Sequence, residues 1–339
     1  MNVVAWDTRQ PIDEGFAGRW AEALAASPQS NFSMDRRYLE WEAKHGRHAL
    51  ALAVEDGPRR AVMVLRRVGG DWVSGYPWRW QGALLGPPGT EALFPSADTC
   101  AWFFRIANQA AGGARLRLFL PSPPPRGVPG FRLGSTILVD LTRTPEQLLA
   151  DMGGDKRRSA NKAAREGWVV SRAETPEQFR AFFALQQEAN TWRKERESAT
   201  GTPEPGESWR EWELPWMTLL VASREGTVGA GSGFSQVSGG MIDYRANASN
   251  AEARKLGCNA QLAYEAMLRG RAQGCRIMNW GGSTEFKARM GGERRDLHCW
   301  LGGGAAWALG NHVEAGLHGA RYRVASWAKA LRRREAPES

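Results

Sequence analysis

The sequence is poor in the residues that build covalent or metal-bound scaffolds. Its four cysteines, Cys100, Cys258, Cys275 and Cys299, include no CxxC pair. That argues against a disulfide framework and a structural zinc site, and it fits a reducing compartment. The neighbours His298 and Cys299 read as incidental, and no metal is expected. Histidine is scarce as well, at five. No Ser-His-Asp or Cys-His constellation is recognisable, so nothing calls for a nucleophilic side chain. Long apolar runs are missing: those such as 217–222 fall far short of the roughly 20 residues that cross a bilayer. Residues 1–10 carry no basic leader followed by an apolar stretch. The expectation is a cytoplasmic protein without a secretion signal.

What is present is a globular composition. Of 339 residues, 42 % are hydrophobic and 24 % charged, enough for a sizeable core in two domains of ordinary size or one large one. Lys and Arg number 45 against 36 Asp and Glu, a net charge of +9. Such an excess favours an anionic partner such as phosphate, nucleic acid or a membrane surface, although a generally basic composition gives the same number. Sixteen tryptophans are many. Trp78, Trp80, Trp192, Trp209, Trp212 and Trp216 fall outside clean patterns; they either line a groove or plug loops onto the core.

The order of predicted elements repeats. In the first half, residues 14–26 form an amphipathic helix with Phe16, Trp20 and Leu24 on one face, and 34–45 a second helix. Strands 49–55 and 60–67 flank the turn Asp56-Gly57. Helix 96–111 ends at Gly112-Gly113 and strand 115–120 follows. In the second half, Thr144-Pro145 and Thr175-Pro176 open helices. Strands 217–223 and 227–235 flank Glu225-Gly226, and 241–248 is a third strand. Helix 258–273 ends at Gly274, and strand 275–280 follows. The segment "GGARLRLF" corresponds to "QGCRIMNW". This reads as a duplicated α/β unit, against the chance recurrence of a common helix-Gly-strand order. The expected division is 1–140 and 141–310. A closing helix at 312–334, in the segment 311–339, would dock Val313, Leu317, Val324, Trp327 and Leu331 on the first domain.

Three segments carry chemistry. In "DKRRSANKAAREG", Asp155 would cap a helix whose Arg158, Lys162 and Arg165 share one face, a phosphate-binding or merely solvated surface. In "RKLGCN", Arg254 and Gly257 precede a helix whose N-terminal N–H groups suit phosphate. In "GGSTEFKARMGG", glycine pairs bracket Phe286-Lys287 just past a strand, where an ammonium can neutralise an oxyanion or a phosphate. General-base candidates are limited to Asp243 and Glu285.

The helix "RSANKAAREG", the strand "MIDYRANAS" and "GCRIMNWGGSTEFK" together resemble the Fem-type aminoacyltransferases, a branch of the GNAT acetyltransferase superfamily, over nearly the whole chain. "RKLGCN" also resembles, with Asn259 in place of a small residue, the loop by which GNAT enzymes hold coenzyme A. The Fem-type resemblance implies two tandem GNAT-like α/β domains, with mixed, largely antiparallel sheets flanked by helices, plus a C-terminal helix. It implies transfer of an amino acid from aminoacyl-tRNA to an amine, on a cell-wall precursor or a small molecule, with no further cofactor. Lys287 would stabilise the oxyanion or meet the tRNA terminus, and Phe286 would shape the acyl site. Arg36 or Arg37 would meet acceptor phosphates, Tyr244 and Arg245 would face the cleft, and Arg158, Lys162, Arg165 and Arg254 would meet tRNA. The stretch 192–216 would be a lid or specificity loop. Two other readings stay open: an acyl-coenzyme A-dependent N-acyltransferase, and an RNA-binding module without activity.

Overall fold

Strand β1 (Asn2–Asp7) pairs antiparallel with β2 (Ala49–Asp56), and helices α1 (Glu14–Ala26) and α2 (Arg36–Lys44) intervene in the chain. The structure, a computed structural model, describes residues 1–57, 59–74, 82–85, 95–197, 216–237 and 239–335. The turn after β2 uses Gly57 at φ 59°, and β3 (Arg59–Val68) returns antiparallel. β4 (Asp71–Val73) and β5 (Gly82–Leu85) both pair with β3. Helix α3 (Ala97–Ala110), capped by Ser96, leads to β6 (Leu116–Leu120), parallel to β4. β7 (Gly130–Asp140) then carries the chain out of this unit.

The second unit repeats the plan. After α4 (Pro145–Asp151) and α5 (Gly154–Arg165), β8 (Val169–Arg172), α6 (Pro176–Glu197), β9 (Met217–Arg224), β10 (Thr227–Gln236) and β11 (Met241–Ser249) follow. Then α7 (Ala251–Leu256) and α8 (Cys258–Ala272) lead to β12 (Ile277–Asn279), parallel to β11. The order β8-β9-β10-β11-β12 matches β1-β2-β3-β4-β6, with the same senses. Short α9 (Glu285–Ala288), β13 (Glu293–Gly302) and α10 (Ala305–Glu335) complete the chain.

The final strands are exchanged. β7, next after β6 in the chain, pairs antiparallel with β12, whereas β13, next after β12, pairs antiparallel with β6. Unit 1 accordingly comprises 1–23, 36–135 and 295–339, and unit 2 comprises 24–35 and 136–294. Each unit has its own core. In unit 1, Cys100, Phe103, Ile106 and Ala107 of α3 pack on Leu52, Met63, Leu116 and Leu118. In unit 2, α8 supplies Leu262, Ala263, Ala266 and Met267 against Leu220, Ala230 and Ile242. Each fully buried large side chain contributes about 1.5–3 kcal/mol. The four cysteines are buried free thiols. Burial pushes Cys100 and Cys258 up to about 11 and Cys275 and Cys299 up to about 12. They are therefore thiols at neutral pH and poor nucleophiles.

Two local expectations are corrected. The N-cap of α5 is Gly153, and Asp155 lies in the first turn, ion-paired with Lys156 and Arg289. In α10 the docked face is polar. Arg115 Nε donates to Asn311 Oδ1 at 3.0 Å, Arg117 Nη1 donates to Glu314 Oε1 at 2.8 Å, and Arg115 also pairs with Glu314. His318 stacks on Phe131 at 3.9 Å. Val313 and Leu317, expected to dock, are 54 % and 59 % exposed. The guanidiniums of Arg115, just before β6, and Arg117, on it, are half-buried and share two carboxylates, Asp71 and Glu314. Substituting Glu314 by Ala is expected to cost about 1–3 kcal/mol, read as a lower denaturation midpoint in urea. No helix among the described residues is long and apolar enough to cross a membrane.

Candidate functional site

Unit 2 gathers its chemistry at the end of β12. Past Asn279 the chain turns through Trp280, Gly281 and Gly282 into α9, which carries Phe286 and Lys287. Gly281 and Gly282 have φ of 60° and 144°, a conformation closed to most side chains. A hydrogen-bonded network holds this turn. Asn279 Oδ1 accepts from Thr136 Oγ1 at 2.6 Å and from Gly281 N at 2.9 Å. Gly282 N donates to Thr136 Oγ1 at 3.1 Å, and Asn279 Nδ2 donates to Asp243 Oδ1 at 2.9 Å. Thr136, Asp243 and Asn279 are all buried. Sequence reading misses Thr136 and Asn279 altogether. Asp243 is tied into this scaffold rather than poised as a base, and exposed Glu285 faces Arg289 at 3.9 Å.

The network aims one ammonium. Lys287 Nζ donates weakly to Gly281 O at 3.4 Å and lies 4.7 Å from the centre of the Tyr244 ring. Tyr244 in turn meets Trp280 at 5.6 Å and Phe234 at 6.0 Å. No carboxylate neutralises this lysine among the described residues; its ring contact is a cation–π interaction. Burial holds the Lys287 ammonium below the ordinary lysine range. Lys156 Nζ stands 5.2 Å over the Phe286 ring, and Gly153 N donates to Arg289 O at 2.8 Å. These contacts fasten the start of α5 to α9. A half-buried cation beside an aromatic wall can stabilise a developing oxyanion more strongly than one in water.

The other predicted residues divide. Arg158 and Arg165 are exposed and Lys162 half-buried on α5, and none has an ion-pair partner among the described residues. Arg254 Nη2 donates to Ser249 O at 2.8 Å. Tyr244 and Arg245 meet different partners, Arg245 being the extra residue of a β-bulge opposite Gly233 and Phe234. Arg245 lies 4.9 Å from the Phe32 ring instead. Arg36 and Arg37 belong to unit 1, where Arg36 Nε donates to Glu40 Oε1 at 2.7 Å and Nη1 lies 3.7 Å from Glu14. Of the stretch 192–216, residues 198–215 lie outside the described residues, as do Trp78 and Trp80; Trp216 is buried. Unit 1 separately holds a cavity of about 660 Å³ lined by Arg47, Arg66, Arg67 and Arg117 among others. No group of three or more His, Cys, Asp or Glu suited to a metal occurs among the described residues.

The acetyltransferase (GNAT) domain family matches residues 154–288, from the first residue of α5 to the last of α9. The solved structure of FemX is similar over 88 % of this chain and 97 % of its own, at 13 % identity and a TM-score of 0.58. The C-terminal domain (DUF2156) of a putative lysylphosphatidylglycerol synthetase from Agrobacterium fabrum covers 87 % and 95 %, at 17 % identity and 0.48. A tandem GNAT protein from the clavulanic acid biosynthesis pathway covers 89 % and 98 %, at 13 % and 0.39. No curated protein matches in sequence. The match of residues 154–288 and the likeness to FemX give the chain a GNAT-like fold. Its version of that fold, two like units with exchanged final strands, aligns with FemX nearly end to end, so the Fem-type resemblance holds for the fold.

Proposed function

We propose that this enzyme transfers an aminoacyl group from aminoacyl-tRNA to an amine acceptor, a cell-wall precursor or a small molecule, forming an amide bond. The observation that carries the reading is the placement of Lys287, half-buried over Tyr244 at the end of β12. An aminoacyl ester is already activated, and a neutral amine attacks it without a covalent enzyme intermediate. Positioning supplies much of the acceleration, up to about 7–11 kcal/mol in good cases. The Lys287 ammonium stabilises the tetrahedral oxyanion, Phe286 bounds the acyl site, and the exposed Arg158 and Arg165 offer charge to tRNA phosphates.

The rival donor is coenzyme A, held at Arg254–Gly257. A Cβ on Gly257 would lie 2.5 Å from Ser159 O. The backbone of α5 thus presses a carbonyl oxygen, an acceptor and not a donor, against the start of α8. The deciding assay offers tRNA charged with labelled amino acids and labelled acetyl-coenzyme A in parallel, with cell-wall precursors and a small-amine library. Label leaving tRNA for an amine supports the proposal. Label leaving only coenzyme A overturns it.

The role of Lys287 has a pH signature. Its folded-state value lies below the unfolded one, so between the two the unfolded chain holds more protons. Stability contributed at this site therefore rises with pH across that window. Transfer, which needs the ammonium, falls as pH climbs through the lowered value, below the ordinary lysine range. Substituting Lys287 by Arg keeps the cation at all these pH values. The expected result is a single-turnover profile whose alkaline limb disappears in that variant while the acidic limb, set by the acceptor amine, stays.

A further inference from the structure

Helix α10 turns an apolar stripe away from the body it is docked on. Leu309, Val313 and Leu317 are 78 %, 54 % and 59 % exposed. The docked residues Asn311, Glu314 and His318 centre on a different face, roughly 130° around the 3.6-residue turn. The sequence continues the stripe to the end of the helix: Leu309, Val313, Leu317, Ala320, Val324, Trp327 and Leu331 fall within about 80° of one another. By helical periodicity of the sequence, Arg321 and Arg323 fall on either border of that stripe, and the helix sequence adds Lys329 and Arg332-Arg333-Arg334 against the acidic residues Glu314 and Glu335. Glu314 is already held by Arg115 and Arg117.

We propose that α10 is a membrane-surface anchor: its exposed stripe lies in the interface of an anionic bilayer, with the flanking cations on the headgroups. Such helices pair an apolar face with Lys or Arg along its borders and a Trp among the apolar residues. This one does so over about 33 Å from Leu309 to Leu331. Its polar remainder excludes a bilayer-spanning role. The charge selects the occupant. An RNA would take the arginines but leave three large aliphatic side chains in water. A second copy of this helix would bring like charges together along both borders of the seam. A surface of acidic lipids satisfies the apolar stripe and the cations at once, each cation near the surface adding to the attraction. The proposal is independent of which acyl donor the enzyme uses.

The test is flotation of the full-length protein with vesicles of phosphatidylglycerol mixed into phosphatidylcholine, against phosphatidylcholine alone, at low and high salt. The expected result is binding to the anionic vesicles at least about tenfold stronger than to the neutral ones, weakened by salt. The triple substitution Leu309→Glu, Val313→Glu and Leu317→Glu is expected to abolish it with an unchanged thermal midpoint, because these side chains are exposed. The pair Arg321→Glu and Arg323→Glu is expected to remove the preference for anionic lipid. Absence of binding to anionic vesicles at low salt overturns the proposal, as does a triple variant that floats like the parent. A dimer in light scattering that the triple substitution splits also overturns it, assigning the stripe to self-association.

Discussion

Replacement of Lys287 by Met is expected to slow single-turnover transfer roughly 10²–10³-fold, the effect of removing one preorganised oxyanion-stabilising group. Acceptor affinity should change little, because the ammonium interacts with charge that develops only on the way to the tetrahedral intermediate. Stability should hold or rise slightly. The lysine is desolvated enough to lower its proton affinity, and Met fills a similar volume beside Tyr244 without burying a charge. Slow turnover with an intact thermal midpoint therefore separates a chemical role from a structural one. A variant that transfers at the parental rate removes Lys287 from the chemistry and leaves positioning alone to account for catalysis.

The second large effect is one of stability. Gly292 follows the site loop at φ +97°, and a Cβ there would stand 2.4 Å from Leu138 O and 2.9 Å from Leu138 C. Neither obstacle can retreat, since Leu138 is registered against Asn279 in the β7–β12 pair. Gly292→Ala combines a left-handed backbone with a main-chain clash, and a loss of roughly 2–4 kcal/mol is expected by calorimetry. Any relief must come from shifting the 281–292 loop, so transfer activity should fall with it. Gly310, in α10, is the control, because a Cβ there would meet nothing within 4 Å. Gly310→Ala should be neutral or stabilising by up to about 1 kcal/mol.

Much of the fold is legible in the sequence because its signals are local. Residues 14–26 bury Phe16, Trp20 and Leu24 as their spacing predicts, and Gly57 and Gly226 close the two hairpins at positive φ. The duplicated order is readable from glycines that end one element and begin the next. Strands β1, β4, β5, β7, β8 and β13 are not. β8 is a short edge, and β13 carries four charged residues in its first four positions, which masks the alternation of a strand. Val313 and Leu317 of α10 are visible in the sequence as part of an apolar face but point to solvent, because periodicity reports a face and not its destination; the side chains of Val324, Trp327 and Leu331 lie outside the described ones. At the site, Phe286-Lys287 stands out by its glycine brackets. The scaffold beneath it does not, since Thr136 reaches Asn279 across 143 positions and no local pattern marks a contact that distant. Adjacency pairs Tyr244 with Arg245 in the sequence, yet Tyr244 meets Lys287 and Arg245, at a β-bulge, meets Phe32.

The exchange of β7 and β13 governs how the molecule can be made and cut. A ribosome that has finished residue 140 has produced a first unit still missing the strand that β6 requires, and that strand arrives only with residues 293–302. The nascent first half must wait with the β6 edge unpaired while the whole second unit is synthesised. For the same reason no single scission yields two self-sufficient halves. Division after β7 leaves each fragment holding a strand that the other's sheet uses.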